Sequence, residues 1–400
     1  MNAFNRNLTE LASEVWDVAI VGAGTAGATA AVQLAAQGRR VLLIEAKAFP
    51  RDKVCGGCLN QRAWNGLNKI TPRSSQLSMV ARIESAGAVP VERLLLNCLG
   101  REARWSTPTM QAISRRTLDS LLVDAAIESG ADFCVETTAK VIDDEATEYR
   151  SLRLTNSQGQ SAVVKARAAI VADGLGHSAL SEFPSMASQV ASGSRLGLGA
   201  IVDDDSPAYV NRELTMAVGR TGYVGLTRVE HGRLNIAAAV DASAIKSAGP
   251  LAVVESILRS CRLPLPHALQ DVKWTGTLPL TRTSRRVAVR RLFTIGDSAG
   301  YVEPFTGEGM SWAIQDALQL SELLTANGND CVRMTADWNR LWKEKLRSKQ
   351  WVCRGLAGLL RRPQLARFSL LLARAVPWIP QWLIARASGV DRTRMYPGVA

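Results

Sequence analysis

Histidine is scarce in this chain, with three residues in 400, and His177, His231 and His267 share no ligand spacing and fall in turn or loop contexts. Each reads as an ordinary surface or core histidine, so no catalysis is attached to them. No metal is expected either. Cys55 and Cys58 form one C-x-x-C pair, zinc needs a second pair of ligands, and Cys98, Cys134, Cys261, Cys331 and Cys353 are all solitary. Seven cysteines is an odd count with no even framework of spacings, which favours a reducing, cytosolic compartment over a secreted one. The amino terminus MNAFNRNLTELASEV carries two acids and no apolar h-region, so a secretory signal is not expected. A membrane-spanning run is missing as well: the longest apolar stretch of the tail, residues 368–384, is broken by Arg374, Pro377 and Pro380, whereas a spanning helix needs about 20 apolar residues. Internal repeats and low-complexity linkers are also lacking.

What is present is a globular composition, 47% hydrophobic and 21% charged, in a length that suggests two domains or one large one. The net charge of +12 is local. Residues 333–400 hold 14 Lys or Arg against 3 Asp or Glu, a net of +11, together with five of the ten tryptophans, at 338, 342, 351, 378 and 382. Such a segment suits a basic amphipathic helix at a membrane interface, with peripheral contact through residues 338–390 on the cytoplasmic face. It equally suits helices that pack on the substrate domain and cap the active site, their arginines snorkelling to solvent. Nucleic acid is not an expected partner, because basicity confined to one end is no general polyanion-binding surface.

The organising stretch is residues 15–45. A β-branched run leads into Gly22, Gly24 and Gly27, spaced G-x-G-x-x-G, then an Ala-rich helix, and then a second apolar strand closed by Glu45. Gly22 permits the tight turn, Gly24 lets backbone approach a pyrophosphate, and Gly27 lets helix and strand pack closely. The free N–H groups at the helix start face the phosphates. Glu45 follows Gly24 by 21 residues, near the separation of about 20 typical of an acid that binds ribose hydroxyls. This is a dinucleotide-binding βαβ unit.

Further along, residues 74–112 alternate as strands, and SRRTLDSLLVDAAIESGADF sets Leu118, Leu121, Leu122, Ala125 and Ala126 on one helical face with Gly130 as its cap. A strand ends at Asp173-Gly174. Residues 195–240 read as an antiparallel block, including a hairpin turned at Glu230-His231-Gly232. Another strand ends at Gly296-Asp297, followed by a loop and a long helix from Met310. Residues 1–73, 113–180 and 286–330 are therefore expected to form a discontinuous nucleotide-binding domain. Residues 74–112 and 181–285 are expected to form a substrate domain, and 331–400 a basic helical carboxyl-terminal region. Asp297, at a strand's carboxyl end, can accept hydrogen bonds from sugar or ribitol hydroxyls. Pro304, Gly307, Glu308 and Gly309 form a loop that can lie against a flat ring, and the helix from Met310 aims its positive end at that site.

Gly22/Gly24/Gly27, Cys55-Gly-Gly, Asp173-Gly174 and GDSAGYVEPFTGEG from Gly296 together resemble the flavoprotein group with the para-hydroxybenzoate hydroxylase fold, and within it the geranylgeranyl reductase-like branch. The resemblance covers about residues 15–330. It implies an α/β chain with a glutathione-reductase-type FAD domain, a βαβ unit on a central parallel sheet, joined to an antiparallel-sheet substrate domain and a helical tail. It also implies FAD as cofactor, NAD(P)H as transient reductant and a hydrophobic small-molecule substrate. Arg115 matches the position that approaches the flavin, with Arg116 beside it leaving open which points inward. Cys55 matches the active-site thiol of the branch. Cys58 departs from the usual glycine and raises a redox-pair alternative, a thiol near Lys53 being open to activation. Tyr223 matches the first residue of an aromatic substrate-anchoring motif whose later tryptophan and phenylalanine are here Gly225 and Thr227. Reduction of a C=C bond in an isoprenoid or lipid-like molecule is the favoured expectation. Monooxygenation of an aromatic or polyketide-like lipid is the alternative, and a non-catalytic flavin-binding redox sensor at a membrane surface is a third. Halogenation ranks lower, since the halogenase lysine and paired-tryptophan motifs are lacking.

Overall fold

A strand apolar at consecutive positions has to be covered on both faces, and this governs the first half of the molecule. The structure is a computed structural model describing residues 7–370, apart from 71, 74–76, 146, 304, 306, 327, 329, 363, 365, 366, 368 and 369; for 345–354, 356, 357, 359 and 360 it describes the backbone alone. Strand Val15–Val21 lies between Ser161–Val171 and Val41–Ile44, parallel to both, and the parallel order continues to Leu292–Thr294 on one side and Asp132–Cys134 on the other. Val18 and Ile20 pack into a core shared with helices Thr25–Ala36, Arg115–Glu128 and Gly309–Ala326. Ala19 and Val21 pack on the other face, against Val141, Leu152, Leu154 and Val164 of the antiparallel strands Thr137–Val141, Arg150–Asn156 and Ser161–Val171.

The glycine turn is possible because side chains are missing. A Cβ on Gly27 would lie 1.9 Å from the Gly22 carbonyl oxygen, and Gly22 itself has φ of +101°. Helix Thr25–Ala36 is rich in alanine and nearly all buried, which lets the two larger helices close against it.

A second, seven-stranded sheet runs in the order Thr275–Pro279, Leu196–Val202, Leu234–Val240, Gly222–Arg228, Glu213–Val218, Arg93–Cys98 and Arg101–Ser106. Five of its six pairings are antiparallel, but Glu213–Val218 and Arg93–Cys98 run parallel. The expectation of a purely antiparallel substrate sheet is corrected at this pair, because the chain segment 74–112 enters the sheet from a separate insertion and cannot join through a hairpin. The same segment is not all strand. Met79–Ser85 is a helix, capped by the Ser78 hydroxyl, which accepts from Ala81 N at 3.3 Å, and Met79 and Ile83 are buried at helical spacing.

Helix Cys331–Leu360 begins against the parallel sheet. Cys331, Met334 and Trp338 are buried in the helix-side core, and Trp338 Nε1 donates to the Thr294 carbonyl at 3.1 Å. Asn339 Oδ1 accepts from Val287 N at 3.0 Å and Asn339 Nδ2 donates to the Ala288 carbonyl at 2.9 Å. Of the segment 338–390 expected at a membrane interface, the first two tryptophans face the protein: Trp338 is 1% exposed and Trp342 also packs on that core. The side chains of Trp351, Trp378 and Trp382 lie outside the described residues. Beyond the helix, Leu370 is buried with Met216, Tyr223 and Leu280 of the second sheet. Among the described residues no helix is long and apolar enough to cross a membrane.

Trp338→Ala removes a fully buried indole and leaves the Thr294 carbonyl without its partner. A loss of about 3–5 kcal/mol of stability is expected, read as a lower urea midpoint; an unchanged midpoint would show that the helix start is dispensable to the core.

Candidate flavin and substrate site

Between the two sheets lies a cavity bounded on one side by Gly24, Thr25 and Ala26, on another by the 307–313 loop and helix start, and on a third by strands of the second sheet. Gly24 opens helix Thr25–Ala36, with no side-chain cap on the helix. Three cations converge over it. A Cβ on Gly24 would stand 3.4 Å from Arg115 Nη2, 3.7 Å from Arg51 Nη2 and 3.9 Å from Lys53 Nζ. Only a residue without a side chain leaves this cradle open, and uncapped N–H groups beneath three cations are the chemistry of a phosphate site.

The cations are held by buried acids. Asp119, wholly buried one helical turn beyond Arg115, receives Arg115 Nε at 3.0 Å and Nη2 at 2.8 Å, Arg51 Nη1 at 3.1 Å and the Thr25 hydroxyl at 3.0 Å. Burial works to raise the Asp119 carboxyl, but the Arg115 charge and its hydrogen bonds outweigh it and hold Asp119 below the ordinary carboxylate range. Burial lowers the Lys53 ammonium, opposed by Asp297, whose carboxylate is 3.7 Å away. Of the two candidate arginines, Arg115 points inward; Arg116 pairs with Asp52 at the surface.

Asp297 lines the cavity with Gly307, Gly309 and Met310 at the start of helix Gly309–Ala326. Gly296 makes a close approach, where a Cβ would fall 2.9 Å from that of Ala26. Glu308 is buried just before the helix, and Pro304 lies outside the described residues. Two acids expected at the cofactor, Asp173 and Glu45, also hold neighbouring loops together. Asp173 accepts from the Ser298 hydroxyl at 2.9 Å and Ala179 N at 3.1 Å, and Gly174 N donates to Ser298 Oγ at 2.8 Å. Glu45 accepts from Ala23 N at 3.1 Å and Arg51 Nη2 at 2.7 Å. Gly174 reaches the cavity wall; Gly22 and Gly27 shape the turn behind it.

Cys55 and Cys58 both line the cavity, as free thiols. Gly57 N donates to Cys55 Sγ at 3.4 Å, and Asn235 Nδ2 donates to the Cys55 carbonyl at 3.0 Å, so the thiol-bearing turn is tied to strand Leu234–Val240. Burial pushes the Cys58 thiol up to about 12. Cys58 opens the buried strand Cys58–Asn60, and its desolvation, reinforced by Cys55, opposes the activation expected of it. Metal-ligand clusters are absent among the described residues.

The far wall is apolar and small: Leu214, Met216, Gly225, Ala237, Ala239 and Leu280. Tyr223 stands in it, edge-on to Phe305 at 5.0 Å between centroids and backed by the Arg195 guanidinium at 5.7 Å. Gly225 lines the cavity, whereas Thr227 is buried away from it. Tyr301 also faces the cavity, and burial, reinforced by Asp297 and Cys55, raises its phenol well above the ordinary tyrosine value. Sequence reasoning missed Lys53, Arg51, Asn235 and Tyr301 as site residues. Arg51 and Lys53 follow Glu45 by six and eight residues in a basic loop, and Tyr301 lies inside the GDSAGY run, so those signals were present; Asn235 had none.

The model of the FAD binding domain family matches residues 15–330, and the chain belongs to that family. It is an FAD-dependent enzyme of the oxidoreductase and monooxygenase class. It is 28% identical over 376 residues to menaquinone reductase of Mycolicibacterium smegmatis, covering 87% of this chain and 85% of that one. It is 26% identical over 340 residues to Conditioned medium factor receptor 1 of Dictyostelium discoideum, covering 77% of this chain but 63% of that protein's length. Likeness to the geranylgeranyl reductase branch is distant, 24% over 344 residues with the digeranylgeranylglycerophospholipid reductase of Methanosarcina acetivorans, covering 83% and 81%. In fold it is similar to p-nitrophenol 4-monooxygenase of Pseudomonas putida, with TM-score 0.72, 16% identity and coverage of 95% and 99%.

The buried Asp119 network sets an acid limit. A carboxyl held low in the folded state stabilises fully above its unfolded value of 3.8 and loses that contribution as pH falls through the folded value. Asp119→Asn should cost about 3–5 kcal/mol at pH 7 by leaving the buried Arg115 without its carboxylate, and its urea midpoint should fall less steeply than wild type below pH 4. Parallel acid limbs would remove Asp119 from the pH response.

Proposed function

We propose that this enzyme reduces a carbon–carbon double bond in a hydrophobic, isoprenoid-bearing or similarly lipid-like molecule. The observation that carries the reading is the small, apolar wall from Leu214 to Leu280 facing a free thiol at Cys55. Such a wall binds hydrocarbon by burial rather than by hydrogen bonds. The likeness to a menaquinone reductase across most of both chains supports a substrate of this kind.

FAD, when bound, supplies hydride transfer, with NAD(P)H as its transient reductant. Arg51, Lys53 and Arg115, clustered at Gly24, would hold its phosphates, and Asp297 would accept from its ribitol hydroxyls. The 307–310 turn and the helix start, which line the cavity, would border its ring. Tyr301 keeps its phenolic proton at neutral pH and can give it to a substrate carbon at the cavity, as can the Cys58 thiol. Cys55 packs beside the reacting carbon, and Tyr223 with Phe305 borders the hydrocarbon. A second reading, monooxygenation of an aromatic lipid, draws on Gly225: with glycine where an anchoring aromatic would stand, the wall leaves width for a ring. Basic residues after Leu360 bring the protein to an anionic membrane surface in either case.

Anaerobic turnover of an isoprenoid quinone by the reduced enzyme is expected to fall at least tenfold in Cys55→Ala with FAD retained. Undiminished turnover would remove the thiol from the reaction, and product formed only with oxygen would replace the reductase reading by the second. Truncation after Leu360, which keeps Trp338, should abolish flotation with anionic vesicles; equal flotation would discard the membrane role.

A further inference from the structure

The turn between strands Gly222–Arg228 and Leu234–Val240 belongs to the substrate sheet, yet it carries a carboxylate buried in the nucleotide-binding half. Glu230 is fully buried. Its Oε2 accepts from Ser114 N at 2.9 Å, and its Oε1 accepts from the hydroxyls of Ser114 and Thr117, the latter at 2.7 Å, and from Arg233 Nη2 at 2.9 Å. Ser114 is the N-cap of the 14-residue helix Arg115–Glu128, and Thr117 is in its first turn. The acid therefore meets the positive end of that helix at the residue before Arg115. Burial alone would raise its carboxyl, but the hydrogen bonds from Ser114 and Thr117 hold it below the ordinary value, so it enters this contact as an anion.

We propose that Glu230 is a positioning residue for Arg115: the substrate sheet, through this one side chain, fixes the start of the helix that presents the guanidinium to the cofactor phosphates. The inference rests on the reading of Arg115 as a phosphate ligand. Glu230 does not line the cavity and acts only through the helix. Three of its four donor contacts come from 113 to 116 residues away along the chain, which distinguishes this from a local turn cap. The neighbouring Asn235, which holds the Cys55 carbonyl, shows the same hairpin gripping a second site loop.

The test is a double-mutant cycle on FAD binding by apoprotein, followed by flavin fluorescence quenching, with the visible circular dichroism of bound flavin as a spectroscopic check. Arg115→Ala should weaken FAD by about tenfold or more and Glu230→Ala by a similar factor, since each costs interactions of a charged group. The double variant should be no weaker than Arg115→Ala alone, because the effect of Glu230 has no route left. Glu230→Gln, which keeps one acceptor oxygen without the charge, should restore part of the affinity. Unaltered FAD binding in Arg115→Ala would overturn the phosphate-ligand reading itself. Multiplying losses in the double variant, with Arg115→Ala impaired, would overturn the positioning role alone. Should Glu230→Ala fail to fold, Thr117→Val in the same cycle removes one donor and carries the same two outcomes.

Discussion

Asp119 is the charge on which the site depends. Burying a carboxylate costs several kcal/mol unless it is fully paired, and this one is satisfied by Arg115, Arg51 and Thr25 together. Each partner comes from a different part of the chain: the same helix, the loop after the second strand, and the first turn after the glycines. Removing either arginine would take a charged partner from the buried carboxylate. The arrangement is thus cooperative, and it brings cations to Gly24 without requiring an anion there for the protein to fold. Lys53 is more loosely paired, since Asp297 is 3.7 Å away and desolvation works against its charge. A phosphate entering this cradle would relieve that deficit, so cofactor binding and the stability of the charged cluster favour one another.

The same economy explains why the sheets differ. In the nucleotide-binding half, glycine and alanine let backbones approach to distances that no Cβ could tolerate, and rigidity follows from close packing. In the second sheet, small residues do something else. Gly225, Ala237 and Ala239 face the cavity, so their lack of side chains creates space instead of removing it. Tyr223, braced by Phe305 and by the buried Arg195–Glu303 pair at 3.2 Å, sets one edge of that space.

Local patterns made the βαβ unit legible, because turn, helix and acid occur within 31 consecutive residues and each residue type has one mechanical use there. The strands before Asp173 and Asp297 were equally plain. What those acids touch was less so: a carboxylate at a strand's end can accept from a ligand hydroxyl, from a serine on another loop, or from both, and Asp173 accepts from Ser298. That serine stands on a loop 125 residues away, which no local pattern records. The parallel pairing of Glu213–Val218 with Arg93–Cys98 was hidden for a like reason. Alternation reports which face of a strand is buried, not the direction of its neighbour. The helix at Met79–Ser85 is short enough that its Ser78 cap and two buried residues were outweighed by the surrounding alternation.

The carboxyl-terminal region shows how one composition can serve two environments. Tryptophan beside arginine fits a lipid interface and fits a protein groove equally well, since both offer an apolar body and a polar edge. Trp338 takes the second: its ring enters the core and its N–H finds the Thr294 carbonyl. Leu370 then reaches the wall of the second sheet near Tyr223. A chain that leaves one half of the molecule and returns to the other ties the two sheets from outside, as Glu230 ties them from within.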